Sequence, residues 1–286
     1  MRILLWFAAA ALTLACFVFQ NRTGPTYPLE GTFETGRGPV GFKFLRSEEI
    51  GTGLQIMFRD PVPAGVTAKI RFRRFKSNDA WSEMPMQPGA FRFSRRGAVE
   101  EIRGVGATLP SLKERAGKYE YFVIVDGAAG SRSVTGERAI YARYKAPVPH
   151  AVLLVHIVIV FLSMTLALRT GLEALRAGEM QQLVWATVAS LLAGAFVMGP
   201  VVQKYAFGVW WSGVPFGWDW TDNKVLVELG AWLLAAFLGV SGRPARWTRA
   251  AVIFATVVTL AVYFIPHSIF GSEFDYTSGV GRGTAG

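Results

Sequence analysis

A helical membrane bundle of about five transmembrane helices, carrying one all-β domain outside the membrane, is the fold class this chain predicts, and three observations carry it. The 286 residues are 51% hydrophobic and only 17% charged, with a positive mean hydropathy, which is too apolar for a soluble chain of this length. The apolar residues gather into five runs, each near the length that crosses about 30 Å of hydrocarbon as a helix. Between the first and second runs the composition changes: residues 21–148 hold 21 Lys/Arg and 13 Asp/Glu, a surplus of eight positive charges.

The first run, residues 3–19, follows Met1 and Arg2 and is read as an uncleaved signal anchor over residues 1–20; a cleaved signal peptide is the alternative. Thr13-Leu14-Ala15-Cys16 is a poor lipoprotein box, and Cys16 is the one cysteine of the sequence. An intramolecular disulfide and a cysteine-based zinc or cluster site are therefore excluded.

Residues 21–148 alternate with period two. Ala68, Ile70 and Phe72 face one way and Lys69, Arg71 and Arg73 the other; Tyr119, Tyr121, Val123 and Val125 alternate with Glu120, Phe122, Ile124 and Asp126. That pattern marks half-buried strands. Further strands are expected at residues 40–46, 54–59, 91–94 and 138–144, separated by Gly/Pro turns such as Asp60 to Gly65. About seven short strands predict an antiparallel sandwich.

The segment IRFRRFKSNDAWSEMPM, followed later by AGKYEYFVIVDG, resembles an immunoglobulin-like or fibronectin type III domain. The resemblance implies a binding or spacer module without catalytic residues, with Trp81, Tyr119 and Tyr121 in its core.

The remaining runs are Ala151 to Leu168, Leu183 to Val202, Val225 to Val240 and Ala250 to Ile265, within a bundle over residues 149–270. The fourth reaches spanning length only if it takes in Thr221 to Lys224. Arg169 and Arg176 are expected between spans two and three, and Arg243, Arg246 and Arg249 between spans four and five. The positive-inside rule puts both connections in the cytoplasm with the N-terminus. The β domain, the 203–224 loop and the 271–286 tail, of which Thr277 to Gly286 reads as flexible, then lie outside, at a bacterial inner membrane.

The stretch from Gly199 to Lys224 holds Trp210, Trp211, Trp218 and Trp220, four of the nine tryptophans, and with Lys204 and Tyr205 is the expected interaction surface. The plainer reading of the same residues is an interfacial aromatic belt, with Asp219 or Thr221 capping the next helix. The pieces QKYAFGVWWSGVPFGWDWTDNK and YFIPHSIFGSEFDY resemble a group of functionally uncharacterised bacterial inner-membrane proteins. In these a short extracytoplasmic β-domain precedes a small helical bundle, so the resemblance implies architecture and location and no activity.

Ionisable residues within spans face the bundle interior with a partner, so Glu228 is expected to pair either with His156 or with Lys224. His156, His267 and Glu228 are the candidate cofactor residues for a haem or quinol. A transition metal would draw on His150, His267, Asp219, Asp222, Glu273 and Asp275. Neither HExxH nor CxxC spacing supports a metal, and the histidines read equally as interfacial. No GxSxG elbow or usable cysteine supports nucleophilic catalysis. The formal charge of +10 comes without a basic block or nucleic-acid motif. The expected partners are therefore the lipid bilayer and other membrane-protein subunits. The sequence reads as a non-enzymatic accessory or docking subunit of a larger membrane complex, acting through its immunoglobulin-like domain and Trp-rich outer loop and without a cofactor; the alternative is a redox or transport component binding haem, metal or quinol at an outer-leaflet His/Glu/Asp cluster.

Overall fold

The computed structural model describes residues 2–95, 98–127, 130–265 and 273–282, and the chain divides into two compact units. One contains the helices; the other comprises Thr26–Pro147 together with Glu273–Arg282.

The helical unit is built from α1 (Arg2–Thr23), α2 (His150–Leu175), α3 (Gln181–Leu191), a π-helical segment (Leu192–Met198), α4 (Gly199–Phe207), α5 (Trp220–Val240) and α6 (Ala245–Phe264). Because α3, the π segment and α4 run on without a break, these make five helical stretches long and apolar enough to cross a membrane. The third of them passes through Gly199 and Pro200, as the expected run did, and continues beyond the expected end at Val202 to Phe207. Proline has no N–H to give the carbonyl four residues back, and the wider π turn, closed by a Gly199 N–H to Gly194 bond, absorbs that loss so that the helix continues. Gly208, at φ +85 in the left-handed region, ends it.

Helix α2 packs on α1, α3 and α6, whereas α5 packs on α3 and α6, which places α2 and α5 diagonally in the bundle. Close approach relies on small residues: a Cβ at Gly171 of α2 would meet Thr256 of α6 at 2.6 Å. The main core joins Ala167, Val184, Val188, Trp232, Ala235, Val252 and Ala255. Helix α1 belongs to the packing, since Ala9 and Cys16 cluster with Met164 and Leu168 and Gln20 donates to the Tyr263 carbonyl at 2.8 Å. Arg169 departs from expectation. It lies inside α2, buried and ion-paired with Glu173 one turn on, because α2 extends to Leu175; Arg176 alone of the two stands in the connection.

The β unit has eleven described strands between Thr26 and Pro147. One sheet has the order β1-β2-β4-β8-β7 (Leu29–Glu34, Pro39–Phe44, Leu54–Arg59, Ala98–Leu109, Gln87–Arg95). The other has the order β3-β11-β9-β5-β6 (Ser47–Glu49, Ile140–Lys145, Lys118–Gly127, Thr67–Arg74, Ser82–Pro85), with β10 (Gly130–Ser133) paired to β9. Phe44, Leu54, Ile56 and Phe58 of the first sheet share one core with Ile70, Tyr121, Val123 and Tyr144 of the second. The alternation along β5 and β9 is as read from the sequence, with Tyr119 and Tyr121 buried.

Three expectations for this domain need correction. The described strands number eleven, not about seven, because short strands such as β3 and β10 are set by pairing to a neighbour and carry too few residues to show an alternation. The pairing is not wholly antiparallel, since β3 runs parallel to β11. Trp81 is not in the core: it is half-buried on the outer side, with the Arg71 and Arg73 guanidinium carbons 4.9 and 4.5 Å from its ring centre and Phe122 at 5.6 Å. Arg71, Arg73 and Phe122 occupy the outward positions of the alternating strands, so a tryptophan stacked on them is held outside.

Candidate functional site

Between Gly208 and α5, residues 208–219 form a short connection fixed by a buried polar network. Asp219 caps α5, accepting from the Thr221 N–H at 2.7 Å, which satisfies an N–H that has no partner within the helix. Asp222, in the first turn, accepts from the Ser212 N–H at 2.7 Å and the Gly213 N–H at 3.1 Å. The Ser212 hydroxyl lies 3.0 Å from both carboxylates and accepts from the Gln203 amide of α4 at 2.6 Å. Asn223 takes the Val214 N–H at 2.7 Å. A Cβ at Gly213 would approach Asp222 and Asn223 to 2.7 Å, so the chain can lie this close to α5 only with glycine there.

Both ends of the connection and its middle are therefore held from below, and its large side chains turn outward. Phe216 is 81% exposed and Trp218 64%; Trp210, Trp220 and Tyr205 are also exposed. Lys204 donates to the Gly208 carbonyl at 2.9 Å and lies 5.8 Å from the Trp210 ring centre. Trp211 differs from its neighbours, stacking on Phe196 at 5.7 Å and donating to the Val214 carbonyl, so it belongs to the support. The sequence reading missed Phe216, the most exposed of the group, although its place between Pro215 and Gly217 in a turn was the available signal.

Glu228 does not pair with His156 or with Lys224. Its carboxylate accepts from Thr259 of α6 at 2.8 Å, and Thr259 in turn accepts from the Trp232 indole at 2.9 Å. Lys224 donates to the Ile265 carbonyl just past α6, at 2.6 Å. His156, on the diagonal helix α2, sits against the backbone of Gly194 in the π segment, and its Nδ1 has no hydrogen-bond partner among the described residues. Equal depth along two helices is not contact when a third and a fourth helix separate them.

The six proposed metal ligands have separate roles. His150 is exposed at the start of α2, Asp219 and Asp222 hold the connection just described, and His267 lies outside the described residues. Glu273 and Asp275 belong to a hairpin of the β unit formed by β12 (Glu273–Asp275) and β13 (Val280–Arg282). Asp275 closes the hairpin turn by accepting from the Thr277 N–H at 2.9 Å. No group of three or more His, Cys, Asp or Glu side chains placed to hold a metal ion occurs among the described residues.

The hairpin also revises the reading of Thr277 to Gly286 as flexible, since Val280–Arg282 pairs as β13 with β12, and β12 itself is anchored. Glu273 is buried and ion-paired with Lys118, at 2.6 Å, and with Lys76. Burial opposes its ionisation, yet the hydrogen bonds from the two lysines outweigh it and hold the carboxyl below the usual carboxylate range. Burial, with Arg143 nearby, brings Lys118 down to about 8.

No family model matches the chain, and comparison with curated proteins and with solved structures yields no match.

Proposed function

We propose that this protein is a non-enzymatic integral membrane subunit that docks onto another membrane protein through the aromatic surface of residues 205–220. Five helices of spanning length support the membrane reading. The observation that carries the docking reading is the pairing of a rigid polar support with an outward aromatic display. Ser212, Asp219 and Asp222 are buried and hydrogen-bonded to one another, while Trp210, Phe216, Trp218 and Trp220 project from the same dozen residues. Aromatic side chains held in one place lose little conformational freedom on binding, and tryptophan is enriched among residues that dominate interface energetics.

In this reading α1 is a retained signal anchor, in keeping with its packing on α2. The β unit is an extracytoplasmic immunoglobulin-like module, in keeping with two sheets around one core, and the membrane is the bacterial inner membrane. Photo-crosslinking tests the docking surface. A benzophenone amino acid at Phe216, in cells, is expected to give one discrete adduct of higher mass that contains a second membrane protein. Adducts to lipid alone would reduce the loop to an interfacial anchor.

A further inference from the structure

The site on the β unit that receives the hairpin has more features than a chance resting place for a chain end. Two of its backbone carbonyls accept from the incoming strand: Ala116 from the Phe274 N–H at 3.1 Å and Lys76 from the Tyr276 N–H at 2.9 Å. Lys76 and Ala116 are two of the three described non-glycine residues with positive φ, at 53° and 62°. Side chains other than glycine adopt that conformation at a cost of order 1 kcal/mol or more, and such strain gathers where a backbone is held ready for a ligand.

The side chains of the site read two further features of the strand. Lys76 and Lys118 meet the Glu273 carboxylate, and with Glu273 gone the buried Lys118 would face Lys76 and Arg143 without it. Three positions along, the Tyr276 ring lies under the Arg74 guanidinium, 4.5 Å from ring centre to carbon, and its hydroxyl donates to Glu114 at 3.1 Å. Gly117 makes room for that hydroxyl, since a Cβ there would stand 2.5 Å from it.

We infer that the groove between residues 74–76 and 114–118 is a peptide-recognition site for an extended segment carrying a carboxylate and, three residues on, a tyrosine, and that the chain's own C-terminal hairpin is its resident, exchangeable ligand. Strand backbone gives the affinity, and the two lysines and the Arg74/Gly117 pocket give the specificity. The inference concerns the β unit alone and stands apart from the docking surface proposed for the helical unit.

The test separates the ligand from the chain. A specific protease site placed between Phe270 and Gly271 of the full-length protein in detergent allows the end to be cut. The released fragment is expected to co-elute with the cut protein and to be displaced by excess synthetic peptide GSEFDYTSGVGR. Labelled peptide should bind the cut protein saturably, with affinity roughly tenfold or more weaker when its glutamate is replaced by glutamine or its tyrosine by alanine. In an uncut E273Q/Y276A variant, which keeps the chain intact, the wild-type peptide should bind in trans, and the uncut wild-type protein should take it up far less. A fragment that leaves on cutting with no labelled peptide bound at millimolar concentration, or a folded E273Q/Y276A variant that binds no more than wild type, overturns the inference.

Discussion

Thr259 of α6 donates its hydroxyl hydrogen to the carboxylate of Glu228 on α5, at 2.8 Å, and the same oxygen takes the Trp232 indole N–H at 2.9 Å. One small side chain thereby satisfies two buried groups of the neighbouring helix. Thr259→Val keeps the shape and removes both functions, so it is expected to destabilise the helical unit by about 1–3 kcal/mol, the cost of leaving buried polar groups without partners. In thermal unfolding in detergent, E228Q and T259V should be non-additive by about 0.5–2 kcal/mol. H156A and E228Q should add to within about 0.5 kcal/mol, since the two side chains are on diagonal helices. A coupled His156/Glu228 cycle together with an additive Glu228/Thr259 cycle would contradict the packing of α5 on α6.

What the sequence made legible follows the range of each signal. Hydrophobic run length located all five long helices, and period-two alternation fixed the inward faces of β5 and β9, because both signals are local. Strand β8, Ala98–Leu109, was missed because Gly104 and Gly106 interrupt its alternation. A Cβ at Gly104 would collide with the Phe58 carbonyl, so the glycines there serve close strand packing, not a turn. The pairing of Glu228 depended on which helices are neighbours, which no local pattern encodes. Glu273 and Lys118 are 155 positions apart, and a Gly-rich end after the last apolar run gave no sign that the chain returns to the β unit.

The connection at residues 208–219 predicts an effect that reaches the aromatic surface from beneath. D222N keeps an acceptor for the Ser212 and Gly213 N–H groups, but D222A leaves both without it. The alanine variant is expected to lose about 2–4 kcal/mol, from two buried backbone donors and one charge-assisted acceptor, while D222N loses less than half as much. Proteolysis between Gly208 and Asp219 should quicken in D222A and hardly change in D222N. Equal resistance in wild type and D222A would mean that the connection is held by its aromatic residues instead.

Acidification should release the hairpin. Glu273 has its folded pKa below its ordinary value of 4.5, so its contribution is present in full above pH 4.5 and is lost as pH falls through the lower, folded value. Protonation leaves Lys118 and Lys76 without the carboxylate, and the strand's other contacts are two backbone hydrogen bonds and the Tyr276 pocket. Amide hydrogen exchange at Phe274 and Tyr276 is therefore expected to lose protection as pH falls from 4.5 through that lower, folded value, apart from any wider unfolding. E273Q should show low protection throughout and no pH dependence of its own. Protection equal in wild type and E273Q across the acid range would assign the docking to Tyr276 and the backbone.

The orientation proposed for the bundle rests on where its arginines gather. Arg249, in the second turn of α6, donates to the Ala177 carbonyl in the α2–α3 connection at 3.1 Å, so Arg176, Arg243, Arg246 and Arg249 share one end of the helical unit. The 208–219 connection lies beyond the opposite ends of α4 and α5. With Arg169 buried inside α2, the positive-inside argument loses one of its five residues and keeps four, all in or beside short connections, where such charges set topology. Cys16 is buried, and a Cys16→Ala background allows single cysteines to be placed at Phe216 and Ser241, both exposed. An impermeant maleimide is expected to label Phe216→Cys in intact cells and Ser241→Cys only after the membrane is opened. Labelling of both from one side would break the alternation of five spans. Labelling on exchanged sides would keep the spans and reverse the protein, placing the aromatic surface in the cytoplasm and overturning an extracytoplasmic docking site.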